Sequence, residues 1–166
     1  MAGTRLVVGA NFVVGVRSHY RCTNHAVRLM RGRPNAAVLF TSERLPDEPG
    51  MQELVLDLRA TAVQRMVALY ALHLEPRAIA SVLLYPGFTR TESVDRSFRT
   101  RSKYFEDWTE ERYFAETASP HYAGRAAAAL LASGTALERT GTMVTAQELA
   151  NEFGFTDVTG LHPDPI

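Results

Sequence analysis

Two short runs constrain this chain more than anything else in it. Ala36–Phe40 (AAVLF) is apolar at every position and Ile79–Leu84 (IASVLL) at all but one. A strand with one face in water alternates apolar and polar residues, whereas a run without alternation suits a strand covered on both faces. Longer stretches with helical spacing lie around the two runs. Val16–Met30 places Tyr20, Thr23, Val27 and Met30 three and four residues apart, and the basic, glycine- and proline-bearing stretch Arg31–Asn35 ends it. Met51–Glu75 is the longest helical pattern. Leu54, Leu58, Ala62, Met66, Leu69 and His73 run down one side, Val55, Val63, Tyr70 and Leu74 widen the stripe, and Pro76 stops it. Strands of this kind alternating with helices predict an α/β fold with right-handed crossovers. The expected architecture is a small parallel sheet of about four strands flanked by helices, with Leu6–Gly9 and Thr142–Val144 as the other two strands. Leu6–Gly9 is expected beside Ala36–Phe40.

The remaining punctuation is local. Ser42–Gly50, with Pro46 and Pro49, is a loop. Pro120 follows Ser119 as a proline does at a first helical position, and the alanine-rich helix behind it runs to Gly134. Thr145 and Glu148 have the spacing of a capping box for a last helix, Ala146–Phe153, closed by Gly154. Thr89–Pro120 is mixed, with Arg96, Arg99, Arg101 and Lys103 followed by Glu106, Asp107, Glu110 and Glu111. The acidic part offsets the basic one, so a solvated loop is preferred there over a phosphate site. Trp108, Tyr104, Phe105, Tyr113 and Phe114 either line a pocket or pack against the sheet.

Composition excludes whole classes. The 166 residues fit one domain spanning the chain. Lysine plus arginine and aspartate plus glutamate each number 18, so no strong basic field invites nucleic acid. The single cysteine, Cys22, leaves no intramolecular disulfide and no multi-cysteine metal site. Five histidines are scattered without metal-ligand spacing, and no metal is expected. No apolar run approaches the ~18 residues of a membrane span. A cytoplasmic protein without nucleic-acid or membrane partners is the expectation.

Several blocks, in order, carry a family resemblance. His73-Leu-Glu-Pro-Arg-Ala-Ile-Ala-Ser-Val-Leu-Leu-Tyr-Pro-Gly-Phe-Thr-Arg-Thr-Glu92 is a helix end, a short apolar strand and then Pro-Gly-x-x-x-Thr. It resembles the second half of a short-chain dehydrogenase/reductase. Gly15–Met30 resembles the helix before that family's fifth strand, and Ala36–Ser42 the strand and the serine that ends it. Tyr122–Leu130 and Glu152–Asp157 resemble its C-terminal part. The resemblance covers roughly residues 14–160 and implies that the α/β sheet of about four strands is a partial Rossmann-like one. It implies NAD or NADP as cofactor and the oxidation or reduction of an alcohol or carbonyl. It assigns Ser42 as a remnant catalytic serine, and Pro86, Gly87 and Thr91 to the loop that meets the nicotinamide.

The same resemblance implies losses. The family opens with a strand, a glycine-rich turn and a helix, because glycines let the backbone approach the pyrophosphate and a helix N-terminus faces its charge. Gly9 and Gly15 do not have that spacing, so the chain is expected to start about halfway through the fold and not to bind cofactor alone. The family uses a tyrosine as acid/base and a lysine four residues on. Aligning Ala60–Met66 on the usual Lys-Ala-Ala-Val-Asn-Arg-Met puts Leu56 at the tyrosine and Ala60 at the lysine, and Gly15 where a helix-borne asparagine stands. Sliding by one offers Val55 and Arg59, which does not restore the pair. A truncated, degenerate relative follows, inactive alone. The alternatives are an oligomerisation module, pairing with itself or with a complete relative, and a fragment of a full-length oxidoreductase.

Overall fold

The computed structural model describes residues 9–42 and 54–163. These divide into two compact units, Met1–Leu84 with Ser133–Met143, and Tyr85–Ala132 with Val144–Ile166.

In the first unit, residues 9–12 are helical, a π-helical turn spans Val13–Arg17, and α1 runs Ser18–Met30. Strand β1 is Ala36–Thr41, α2 is Leu54–Leu74, and β2 is Ile79–Tyr85. β1 and β2 pair in parallel from Ala36↔Ile79 to Thr41↔Leu84, joined by the helical crossover that two such runs require. With β3, Met143–Thr145, they form a three-stranded sheet in the order β1-β2-β3. All seven residues of β2 are buried, as a run apolar at all but Ser81 predicts, and β1 is only partly so. The one hydroxyl inside β2, Ser81, donates to the Val67 carbonyl at 3.0 Å, so it is buried without an unmet bond. Phe40, Val63, Val67 and Leu83 form one core cluster; Val27, Leu74 and Ile79 form another.

The α/β class and the flanked parallel sheet are as expected, with three strands among the described residues. Leu6–Val8 lie outside the described residues, and Gly9 is helical, not the end of a strand. The stripe expected on α2 holds at Val63 and Leu74 and is corrected elsewhere. Ala60, Val63, Val67, Ala71 and Leu74 are buried, whereas Leu54, Leu58, Leu69 and His73 face solvent. Because α2 is apolar nearly all round, spacing alone does not choose its core side. The small and β-branched side is the buried one.

In the second unit the mixed segment resolves into α3, Glu92–Arg99, and α4, Glu110–Glu116, followed by α5, Pro120–Ser133, and α6, Ala146–Phe153. The capping box at Thr145 and Glu148 forms, and Gly154 closes α6 in the left-handed conformation. Phe98, Phe105 and Tyr113 make an aromatic core with Phe88, Val94 and Trp108 against it; Tyr104 and Phe114 are exposed. Phe98 and Tyr113 stack with ring centroids 3.9 Å apart.

Candidate functional site

The resemblance assigns residues to both units, and each set is described in its own. In the first, Ser42 directly follows β1. Its N–H donates to the Leu84 carbonyl at 3.4 Å, continuing the β1–β2 ladder, and the residue is buried. Leu56 and Ala60 lie one turn apart near the start of α2, Leu56 half-buried and Ala60 buried. Neither side chain can donate, accept or carry charge.

Gly15 sits inside the π-helical turn and is buried. A Cβ there would lie 2.0 Å from Arg59 Cδ and 2.7 Å from Arg59 Cγ, so the arginine stem crosses directly over the glycine. Arg59 Nη1 then donates to Asn11 Oδ1 at 3.1 Å. The Gly15 carbonyl meets His19 Nδ1 at 2.7 Å. A carbonyl only accepts, so Nδ1 carries the proton. The His19 ring stacks on Phe40 at 6.0 Å, two residues before Ser42. Single π-turns inside helices occur frequently at functional sites. This one is filled by an arginine from the neighbouring position to Ala60.

In the second unit, Pro86 and Gly87 follow β2, with Gly87 at φ 76°, a conformation open to glycine at little cost. Thr89 Oγ1 donates to the Gly87 carbonyl at 3.1 Å, and Thr89 forms a parallel bridge to Ala118. Thr91 is exposed and caps α3, its Oγ1 accepting from the Val94 N–H at 3.3 Å. Between them, Arg90 turns inward. Its guanidinium bonds the Thr117 carbonyl and hydroxyl and meets Asp157 Oδ2 at 3.2 Å. Asp157 is 1% exposed, and four further bonds converge there or beside it: Ser119 N–H at 2.8 Å on Oδ2, the Ser119 hydroxyl and Val158 N–H on Oδ1, and Gly160 N–H on the Asp157 carbonyl. Burial pushes the carboxyl pKa upward, but the bonds from Ser119 and Val158 and the Arg90 charge more than offset it, and the net direction is down. Tyr113 goes the other way: burial and its bond to Asp95 Oδ1 at 2.9 Å hold the phenol protonated far above its ordinary range.

The sequence did not reveal Arg59 over Gly15 or the Arg90–Asp157 pair. A glycine inside a helical pattern was the available signal for the first, since it often marks a close approach. Nothing local marks a pair separated by 67 positions.

These features define a class by fold: an α/β chain built on a Rossmann-like parallel sheet flanked by helices. No protein-family model matches the sequence. Among curated relatives, "Dehydrogenase/reductase SDR family member 1" from Mus musculus is 27% identical over 154 residues, and its Homo sapiens counterpart 23%. Each alignment covers 89% of this chain but 47% of the relative, so the chain spans about half the length of the curated relatives it matches. A gluconate 5-dehydrogenase from Burkholderia cenocepacia, solved with NADP and tartrate, shares the fold at a TM-score of 0.67 and 18% identity, over 83% of this chain and 53% of that one. A short chain oxidoreductase from Pseudomonas aeruginosa described as containing an atypical catalytic center matches at 0.55 and 20%, over 69% and 47%. The chain is related to the short-chain dehydrogenases/reductases.

Proposed function

We propose that these residues form the second half of a short-chain dehydrogenase/reductase scaffold that has lost its proton-transfer couple and does not transfer hydride by itself. The observation that carries this is the pair Leu56 and Ala60. A general acid/base is worth about 10²–10⁴-fold in rate, and a hydrocarbon supplies none of it. The residues present do not fit NAD or NADP as a working cofactor: Ala60 is packed into the core, and Thr91's hydroxyl is already engaged at the start of α3. Ser42, Pro86, Gly87 and Thr91 are kept as backbone and capping positions.

The test is direct. Purified chain with NADH or NADPH and a panel of ketones and aldehydes should consume reduced nicotinamide no faster than buffer, and calorimetry should give no micromolar binding. Leu56→Tyr with Ala60→Lys should not rescue turnover. Turnover well above blank by the unaltered chain would overturn the reading. The 47% coverage favours a companion reading, that the segment belongs to a full-length oxidoreductase. Leu56 and Ala60 predict the same silence there, tested by the same assay on the longer protein.

A second reading is favoured by the surface of α2, where Leu54, Leu58, Leu69 and Leu72 are exposed along one side. A helix apolar on both sides is ordinarily buried on both. In this reading α1 and α2 present a docking surface, for a second copy or for a complete relative. Light scattering of the chain alone and of Leu58→Lys/Leu69→Lys measures it.

A further inference from the structure

The segment that follows α6 is firmly seated in the second unit. Its Asp157 and Pro163 side chains are fully buried. A turn closes it, with the Asp157 N–H donating to the Leu161 carbonyl at 2.9 Å and the Gly160 N–H to the Asp157 carbonyl at 3.0 Å. Gly154, at φ 70°, is the pivot between α6 and this turn. Two contacts hold the segment on the start of α5. Phe155 meets Tyr122 with ring centroids 5.6 Å apart, and the Asp157 carboxylate accepts from both the N–H and the hydroxyl of Ser119.

The same carboxylate reaches the loop after β2. The Arg90 side chain, only 9% exposed, meets it at 3.2 Å. The Arg90 backbone belongs to the bridge between Thr89 and Ala118: its N–H donates to the Ala118 carbonyl at 2.8 Å, and the Ala118 N–H donates to the Phe88 carbonyl at 2.9 Å. When the turn lifts, Arg90 is left a buried cation without its counter-ion, an expensive arrangement. Moving the guanidinium into water relieves it and draws the Thr89–Thr91 backbone off Ala118. One atom opposes the seating. The Tyr122 hydroxyl is fully buried and has no hydrogen-bond partner. Burial and the Asp157 charge both raise the phenol pKa, so it stays a protonated, unmet donor. Water meets that donor once Phe155 moves aside, so the closed form bears a cost that the open form does not.

We propose that residues 155–163 are a strap that opens and closes as one element on the start of α5, and that its closure holds the loop Gly87–Thr91 in shape. Asp157 is the catch, and the Tyr122 hydroxyl biases the strap toward release. Asp157 is thus a positioning residue for a loop that it reaches through Arg90. Contiguous pieces of a structure open in this way at a free energy below that of global unfolding. The device lies wholly in the second unit and needs no bound nucleotide.

Amide hydrogen exchange, read residue by residue by nuclear magnetic resonance, tests this on the unaltered chain, Tyr122→Phe and Asp157→Asn. In the unaltered chain the strap amides of Asp157 and Gly160 should share one opening equilibrium with the loop amides of Arg90 and Ala118. That opening should be easier than the one at Leu83, whose N–H donates to the Thr142 carbonyl at 3.0 Å inside the sheet. Tyr122→Phe should slow exchange at strap and loop alike by about tenfold, although the lost hydroxyl bonds to neither. Asp157→Asn should speed both sets by about a hundredfold or more. If Tyr122→Phe slows the strap amides and leaves Arg90 and Ala118 unchanged, strap and loop are not coupled and the inference fails. It fails equally if both sets exchange only as slowly as Leu83, because the strap then opens only with the whole chain. Should Asp157→Asn not fold, Tyr122→Phe alone decides among these results.

Discussion

In the second unit a carboxylate and a guanidinium are buried together at 3.2 Å, and both carboxylate oxygens accept bonds from neighbouring donors. In the first unit, positions 56 and 60, where the resemblance expects a phenol and an ammonium, hold an isobutyl group and a methyl. The chain thus tolerates the cost of buried charge at one place and dispenses with charge at the other. Buried ions are expensive to desolvate, and a pair persists where geometry and extra hydrogen bonds repay that cost. At Asp157 they do: Arg90, Ser119 and Val158 fix three segments of the second unit on one carboxylate. Leu56 and Ala60 are hydrocarbon and meet no such cost. The difference teaches that the buried charge at Asp157 persists because hydrogen bonds from neighbouring segments surround it.

The largest effect should come from breaking the retained pair. Asp157→Asn keeps the shape but leaves the Arg90 charge buried without its counter-ion, and losing one member of a buried pair costs about 3–5 kcal/mol. Urea unfolding followed by far-ultraviolet circular dichroism measures it. A loss below 1 kcal/mol would put the pair on a par with a surface contact and erase the contrast between the units.

The first unit is probed by Gly15→Ala. Alanine is favoured over glycine in a helix by about 1 kcal/mol, yet overpacking costs about 1–3 kcal/mol, and here Arg59 Cδ stands 2.0 Å from the new methyl. The substitution should therefore destabilise while Arg59 is present. In an Arg59→Ala background the sign should reverse and the same change should stabilise. Equal effects in both backgrounds would mean that the arginine simply swings away, and that the filled π-turn is incidental to stability.

Acid titration sharpens the comparison further. Asp157 has a folded-state pKa below its unfolded value of about 3.9, so its contribution is fully present above that value and is lost as pH falls through the folded pKa. The unaltered chain should lose stability more steeply below about pH 4 than Asp157→Asn does. Parallel acid curves for the two proteins would remove Asp157 as the cause.

Much of the fold was legible because it rests on local signals. The short apolar runs located β1 and β2, Pro120 opened α5, and Thr145 with Glu148 bounded α6 within a few residues. The core side of α2 was not legible, since leucine and alanine stripes on one helix compete equally until a sheet selects the smaller. Gly9 was misjudged for a related reason: a short apolar run before a glycine suits a strand end or a first helical turn. At the candidate site the resemblance proposes Leu56, Ala60 and Ser42 along the chain. It did not supply Arg59 lying over Gly15, because the side chain that fills a glycine's space comes from 44 residues away and depends on how α2 packs.

The smallest effect concerns Thr91, where a cofactor role and an architectural one make different demands on a single hydroxyl. As the cap of α3 it accepts from the Val94 N–H, one of the donors a helix start leaves without an internal partner. Replacing such a cap by alanine costs about 1 kcal/mol, and serine restores the acceptor. Thr91→Ala should therefore lower the urea midpoint modestly, Thr91→Ser should recover it, and neither should change the response of the melting temperature to added NADPH. A thermal shift with NADPH that Thr91→Ala abolishes and Thr91→Ser retains would move this residue from architecture to ligand binding, and the second unit would then hold a working piece of the ancestral site.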